Sequence, residues 1–493
     1  MSNDFINSQP SPSILVQSLR DIGYSMESAI ADIIDNSITA KAENIHIKFS
    51  WNDGEPWLAV LDDGHGMTAN ELTRAMKLGS KNPLDERGSN DLGRFGLGLK
   101  TASFSQCCKL TLVSCKDGMF SCREWDLDLI NNDPDSGWRL RIIKDSELEQ
   151  DKCIATLISN IQSNGTLVLW RHLDRYDDSE KQLNSLIEDT RKHLELVFHR
   201  FLSPSPGKRK ISISLNNALL EAFNPFNSAH PATQELPEQS IYVENCSITV
   251  QPYVLPHYNK TSRYEYEKYS GEGGYLQNQG FYVYRNKRLI IKGTWFRLIK
   301  KEELTKLIRV QVDLPNSLDH LWKIDIKKSH ASPPETIRKE LKKIIDKISL
   351  SGKRVYQQRG KKLLETVKVP SWIRTAAAGK ITYTINQKHP LISQLNNNLS
   401  LGDQQKLKDL ITMLESCFPT ALFYSDIAKK PESLRKPEFG DKDFDILVDE
   451  IINYMRESKT PNTEIAERLL STEPFSSYPE KTTKILHQKG LIT

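Results

Sequence analysis

Ala31-Asp32-Ile33-Ile34-Asp35-Asn36-Ser37 sets acids and an amide into an otherwise apolar, helix-periodic stretch. From Ser25 to Ala40 the residues Met26, Ala29, Ile30, Ile33, Ile34 and Ile38 recur at three- and four-residue spacing, which predicts a helix with one buried stripe. Asp32 and Asn36 stand four apart. They therefore share one flank, one turn above the other, and present a carboxylate and an amide to the same small volume. That geometry suits a base beside a metal-binding oxygen. On the helix alone a solvated or capping face is the plainer explanation, and only residues further along the chain decide between the two.

Two strand-like runs come next, Ile45 to Trp51 and Trp57 to Leu61, split by the turn residues Asn52-Asp53-Gly54. The second ends in Asp62-Asp63-Gly64-His65-Gly66-Met67. It delivers a carboxylate to a strand end, and the glycines let a ligand lie against bare backbone. Further on, Gly93, Gly96 and Gly98 lead through Leu97, Leu99 and Lys100 into a helical-looking Thr101-Ala102-Ser103-Phe104. Such a glycine cluster before a helix offers a nest of N–H groups that can hold phosphate. It is not a dinucleotide-binding fingerprint, because the polar segment Gly79 to Asn90 precedes it instead of a strand, and no GxxxxGK[ST] occurs. Taken singly, each of these motifs also reads as an ordinary turn.

Their order carries more weight. A helix with Asp32 and Asn36, a strand ending in Asp62-x-Gly64-x-Gly66, a loop running into Gly93-x-x-Gly96-x-Gly98, and the strand Gly165-Thr166-Leu167-Val168-Leu169-Trp170 together resemble the GHKL ATPases. That superfamily includes gyrase B, the MutL proteins, the large heat-shock chaperones, histidine kinases and the MORC proteins. The wording around the motifs is most similar to the MORC proteins and to MutL-like ATPases of bacterial restriction-modification islands. The resemblance covers roughly residues 13–200.

The resemblance implies a role for each matching residue. Asp62 accepts a hydrogen bond from the adenine amino group, with Thr166 helping through water. Gly64, Gly66 and Met67 lie along the nucleotide, Asn36 holds Mg²⁺, and Gly93, Gly96, Leu97 and Gly98 wrap the phosphates of ATP. Residues from about Gly79 to Leu92 form the lid, and Lys100 is a further phosphate contact. Asp32 takes the position of the water-activating base, where most of the superfamily has glutamate. Aspartate is one methylene shorter, while a base must come within about 2.6–3.2 Å directly or through one water. Either a helix shift or second water closes that gap, or hydrolysis is slow.

At 493 residues the chain is long enough for two to four domains. With 38% hydrophobic and 26% charged residues it reads as globular, and no run approaches the roughly 18 apolar residues of a membrane span. No membrane partner is expected. The start, MSNDFINSQPSPS, lacks the basic and apolar regions of a secretory signal, and seven cysteines form no zinc or disulfide pattern. A reduced, cytoplasmic setting is the expectation. A net charge of +4 says little by itself about nucleic acid.

Ser203-Pro204-Ser205-Pro206-Gly207 reads as a linker. After it, Phe281 to Tyr284 and Arg288 to Ile291 flank a short turn and predict a hairpin, and Trp322 to Ile326 alternates like a strand. By resemblance this is the transducer domain, with a ribosomal S5-like fold, whose lysine reaches the γ-phosphate. Lys328, with Lys327 as its alternative, matches that position. Pro333-Pro334 opens a helix striped by Ile337, Leu341, Ile344, Ile345 and Ile348. From Arg338 to Lys368 eleven basic residues stand against three acids. That excess suits contact with the phosphate backbone of duplex DNA, and equally a solvated helix face. Beyond about Lys380 the chain turns mainly helical. Thr463 to Leu470 reads as helix packing, with a helix-turn-helix as the alternative.

The expected fold class is α+β: a Bergerat-type α/β sandwich ATPase domain over 1–202, a transducer domain over 208–332, a basic amphipathic linker helix over 333–370, and a mainly helical domain over 371–493. The expected function is an ATP-dependent switch, closing as an ATP-dependent homodimer on DNA, in restriction-modification or phage defence beside restriction or methyltransferase partners. A rival of another class is a chaperone-like remodelling ATPase with a protein client.

Overall fold

The computed structural model describes residues 11–21, 23–79, 98–132, 137–176, 179–244, 246–319, 321–322, 332–357, 369–377, 380–420, 422–423, 440–457 and 460–492. They fall into two compact units, residues 1–357 and 358–493.

The first unit is built on an eight-stranded sheet. Its strands are β1 (Asn44–Ser50), β2 (Trp57–Asp62), β3 (Lys109–Lys116), β4 (Met119–Asp126), β5 (Arg141–Ile143), β6 (Gly165–Arg171), β7 (Ser212–Leu215) and β8 (Ala218–Leu219), in the order β5-β4-β3-β6-β2-β1-β7-β8. All neighbours run antiparallel except β1 and β7. The central strands are apolar on both sides because both faces are covered. Leu58, Val60, Leu110, Leu112, Val168 and Trp170 face one core, and Ala59, Leu61, Val113, Leu167 and Leu169 face the other. Helices α1 (Pro12–Arg20), α2 (Met26–Thr39), α3 (Ala69–Met76) and α4 (Gly98–Phe104), with the helix Glu180–Val197, contribute to the first core. Helix α2 spans the predicted stretch, and Met26, Ala29, Ile30, Ile33 and Ile34 are buried in it.

A second sheet follows, made of β9 (Gln234–Glu235), β10 (Gln239–Val243), β11 (Cys246–Val254), β12 (Gly280–Arg285), β13 (Arg288–Thr294) and β14 (Ile308–Leu314), in the order β10-β11-β14-β12-β13 with β9 on β11. The predicted hairpin is β12 and β13. Asn286 and Lys287 both have positive φ, 46° and 69°, as a tight two-residue hairpin turn requires.

Several sequence boundaries shift. Residues 212–219 return to the first sheet through β1, so that sheet runs past the expected linker and past residue 202. A parallel partner so far along the chain leaves no local signal. Trp322 is buried, but in a turn, not a strand; the remainder of the predicted strand and Lys327 and Lys328 lie outside the described residues. The helix Glu335–Gln357 is no linker, because Ile337, Leu341, Ile344, Ile345 and Ile348 pack into the core of the second sheet with Val250, Phe281, Val310 and Val312.

The second unit has a hairpin, β15 (Trp372–Ala377) and β16 (Lys380–Ile385), and helices that include Leu401–Ser416, Asp441–Glu457, Asn462–Ser471 and Pro479–Gln488. Ile465, Ala466 and Leu469 are core residues there, with Phe444, Val448 and Leu486. Among the described residues no helix is long and apolar enough to cross a membrane.

Candidate functional site

Asp62, Thr166 and Ser114 lie opposite one another on β2, β6 and β3. Side chains alternate along a strand, so Asp62 shares a face with Leu58 and Val60, Thr166 with Val168 and Trp170, and Ser114 with Leu110 and Leu112. The three polar groups therefore end the apolar stripe that faces α2. Ser37 of α2 closes the row, its hydroxyl donating to Asp62 Oδ2 at 2.7 Å, while Gly64 N–H donates to Oδ1 at 2.9 Å. Asp62 is only 6% exposed, and burial raises its pKa above the ordinary carboxylate value. Thr166 Oγ1 and Ser114 Oγ are 3.0 Å apart, and Ser114 also accepts from Met67 N–H at 2.9 Å.

The turn after β2 is pressed onto its neighbours. His65 N–H donates to the Ala40 carbonyl at the end of α2, and a Cβ on Gly64 would meet Ala40 at 2.9 Å. Gly66 has φ +65°, and a Cβ there would lie 1.8 Å from the Cys115 carbonyl oxygen. Only glycine combines that conformation with that approach. A capping box then starts α3: Thr68 N–H donates to Glu71 at 2.8 Å, and Glu71 N–H to the Thr68 hydroxyl at 3.4 Å.

On α2, Asp32 is 3% exposed, whereas Asn36 one turn later is exposed. Tyr24 donates its phenol hydrogen to Asp32 Oδ2 at 3.0 Å. Gly98 opens α4, and a Cβ built on it would lie 3.7 Å from Asp32 Oδ2. The start of α4 thus comes close to the expected base. Lys100 is buried and its ammonium donates to the Ala75 carbonyl at 2.9 Å, an anchoring of α4 to the end of α3 that the sequence does not foretell. Gly93, Gly96, Leu97 and the expected lid beyond Gly79 are outside the described residues.

Four residues of this region escape a reading of the sequence. Ser37 sits one residue beyond Asn36, and Ser114 continues the parity of Leu110 and Leu112, a signal present but unused. Asp35 and Arg288 could not be found that way. Arg288, the first residue of β13, is 4% exposed; its Nε lies 2.8 and 2.7 Å from the two Asp35 oxygens and its Nη2 3.4 Å from Asp32 Oδ1. Phe198 lies beneath the guanidinium at 5.7 Å.

Residues 24–164 match the family model for histidine kinase-, DNA gyrase B-, and HSP90-like ATPases. Over 94 residues the chain is 37% identical to the "ATPase morc-1" of Caenorhabditis elegans, a stretch that is 19% of this chain and 11% of that protein. The chain matches about a ninth of the length of that curated relative.

Proposed function

Residues 24–164 belong to the GHKL-type ATPases, with a MORC-like relationship, and from that premise we propose that this chain binds ATP over Asp62 and hydrolyses it as a conformational switch acting on DNA. The observation that carries the reading is the row Asp62, Thr166 and Ser114, closed by Ser37 and bordered by a glycine turn in which a Cβ has no room. A flat adenine edge needs such a paired acceptor and hydroxyl, and bare backbone beside them.

Under this reading Asp62 accepts from the adenine amino group and Thr166 assists through water. Asn36, exposed one turn above Asp32, fits the Mg²⁺ role through its amide oxygen; bound there the ion offsets the negative charge of the phosphates. Gly98 at the start of α4 is the described end of the phosphate loop. Asp32 takes the proton of the attacking water as the new P–O bond forms and the bond to ADP breaks. With its shorter side chain turnover is slow. Lys328, or Lys327, both outside the described residues, contacts the γ-phosphate, as the resemblance implies. DNA lies against the outer face of the helix Glu335–Gln357, where Lys339, Lys342, Lys343 and Lys347 are exposed. Two protomers close around it as a clamp in the ATP state, in a defence setting beside restriction or methyltransferase partners, as the resemblance implies.

The test is calorimetry with ATP and Mg²⁺ on the intact chain and on Asn36→Ala. The expected result is binding to the intact chain and its loss in the variant. Unchanged nucleotide affinity in Asn36→Ala would sink the site assignment.

A further inference from the structure

Resting on the ATPase reading above, we infer that Arg288 is a positioning residue for Asp32, through which the second sheet governs the hydrolytic competence of the nucleotide site. The guanidinium is shared unequally. Asp35 takes Nε at 2.7–2.8 Å, and Nη2 reaches Asp32 at 3.4 Å. Asp35 is therefore the anchor and Asp32 the adjustable contact. A displacement of β13 by a few tenths of an ångström tightens or releases the hold on Asp32, while the Asp35 pair keeps the arginine in place.

The hairpin carrying Arg288 is stiff enough to transmit such a displacement. Its two-residue turn has both central residues at positive φ, with Arg285 and Arg288 facing each other across the strand pair. Arg285 is itself clamped by Asp319, at 2.8 Å from Nε to each oxygen and 2.7 Å from Nη2. One end of the tip thus holds the carboxylate of Asp319, in the turn after β14, and the other holds the carboxylates of α2. On the opposite side Tyr24 fixes the remaining oxygen of Asp32 at 3.0 Å. Two further titratable groups belong to the surroundings of the Arg288 contact. Lys292 stands on the same strand, and burial first, then Arg288 and Lys292, hold the His193 imidazole down to about 3 and so neutral.

The contact also explains why α2 bears two buried acids. Asp35 would be a costly choice for a helix core unless a cation reached it, and that cation arrives from β13. A residue that served stability alone would leave Asp32 out of the arrangement.

The test compares the full chain with Arg288→Lys and with the neutral swap Asp35→Asn/Arg288→Gln, by steady-state ATP hydrolysis and by calorimetry with a non-hydrolysable ATP analogue. The expected result is a kcat about tenfold or more lower in the neutral swap, with analogue affinity within about threefold of the native chain, and partial recovery of kcat in Arg288→Lys. If the neutral swap fails to fold, as thermal unfolding would reveal, Arg288→Lys decides alone, because it keeps the charge and loses the fork. A kcat within about twofold of native in the folded variants overturns the inference, as does a parallel loss of kcat and affinity. In either case a native chain that still binds and hydrolyses ATP leaves the ATPase reading standing. A native chain that binds no analogue overturns both.

Discussion

The Ser37 hydroxyl donates to Asp62 at 2.7 Å, joining the end of α2 to the end of β2. Asp62 is buried and also accepts from Gly64 N–H. Ser37→Ala removes a hydrogen bond to a charged acceptor, a loss of roughly 1.5–3 kcal/mol. We expect a lower unfolding temperature and about a tenfold weaker ATP affinity, since Asp62 is no longer held for the adenine edge. A Ser37→Ala variant with native affinity by calorimetry would remove Asp62 from the nucleotide site or make its orientation irrelevant.

Two glycines with similar backbones separate strain from crowding. Gly118 has φ +79° with nothing within 4 Å of a built Cβ, whereas Gly66 has φ +65° and a Cys115 carbonyl oxygen at 1.8 Å. Gly118→Ala should cost only the left-handed backbone penalty, about 1–2 kcal/mol. Gly66→Ala carries that penalty and also forces β2's exit turn off β3. It should lose clearly more stability and, unlike Gly118→Ala, weaken ATP binding. Equal effects in chemical denaturation and calorimetry would contradict the close approach.

Acid should loosen the junction between the first and second sheets. His199, on the short helix His199–Leu202, pairs its Nε2 with Tyr284 of β12 at 2.8 Å. Burial, and secondarily Arg200, hold its pKa down to about 3 from 6.5. The unfolded chain therefore binds the proton first as pH falls. Stability is intact above pH 6.5 and declines from there toward pH 3, by at most about 1.4 kcal/mol per pH unit from this one group. His193, also held down to about 3, acts in the same sense. His199→Gln keeps a polar side chain without the titration, so its denaturation free energy should fall less between pH 7 and pH 5 than that of the native chain. Parallel pH curves would exclude His199 as a source of the acid sensitivity.

Legibility in the sequence tracks the range of the forces involved. The stripe of α2, the β12–β13 hairpin and the stripe Ile337 to Ile348 are written in local periodicity, and each forms as read; the strand Gly165 to Trp170, taken from the family resemblance, forms as well. Parity along each strand assigns the faces of Asp62 and Thr166, but the pairing of β2 with β6 that sets them side by side is not local, and the sequence brings the two together only through the family resemblance. The pairing of Asp35 with Arg288 is not local: the residues are 253 positions apart, and only the packing of the two sheets brings them together. The same holds for β7, which reads as chain beyond a linker but pairs with β1. Trp322 shows the converse error. Its apolar alternation suggests a strand, but its burial is achieved from a turn, against Phe296 at 5.8 Å.

The helix Glu335–Gln357 offers the last prediction. Its apolar stripe is spent on the second sheet, which leaves Lys339, Lys342 and Lys347 exposed, while Lys343 pairs with Glu340 at 2.7 Å. Exposed lysines on a packed helix are a rigid row of charge, suited to a phosphate backbone and dispensable for folding. Each phosphate contact releases counterions, so the affinity of the native chain for duplex DNA should fall steeply with salt, with a slope in log units of roughly 0.9 per contact. Lys339→Gln/Lys342→Gln/Lys347→Gln should change stability by no more than about 0.5 kcal/mol per site. The same variant should flatten that slope by roughly two to three units, one for each contact removed. Filter binding across a salt series, with ATP and without it, measures both. A native chain with no salt-dependent DNA affinity would turn the reading toward a protein client, and a native slope in the triple variant would move the DNA contact off this helix.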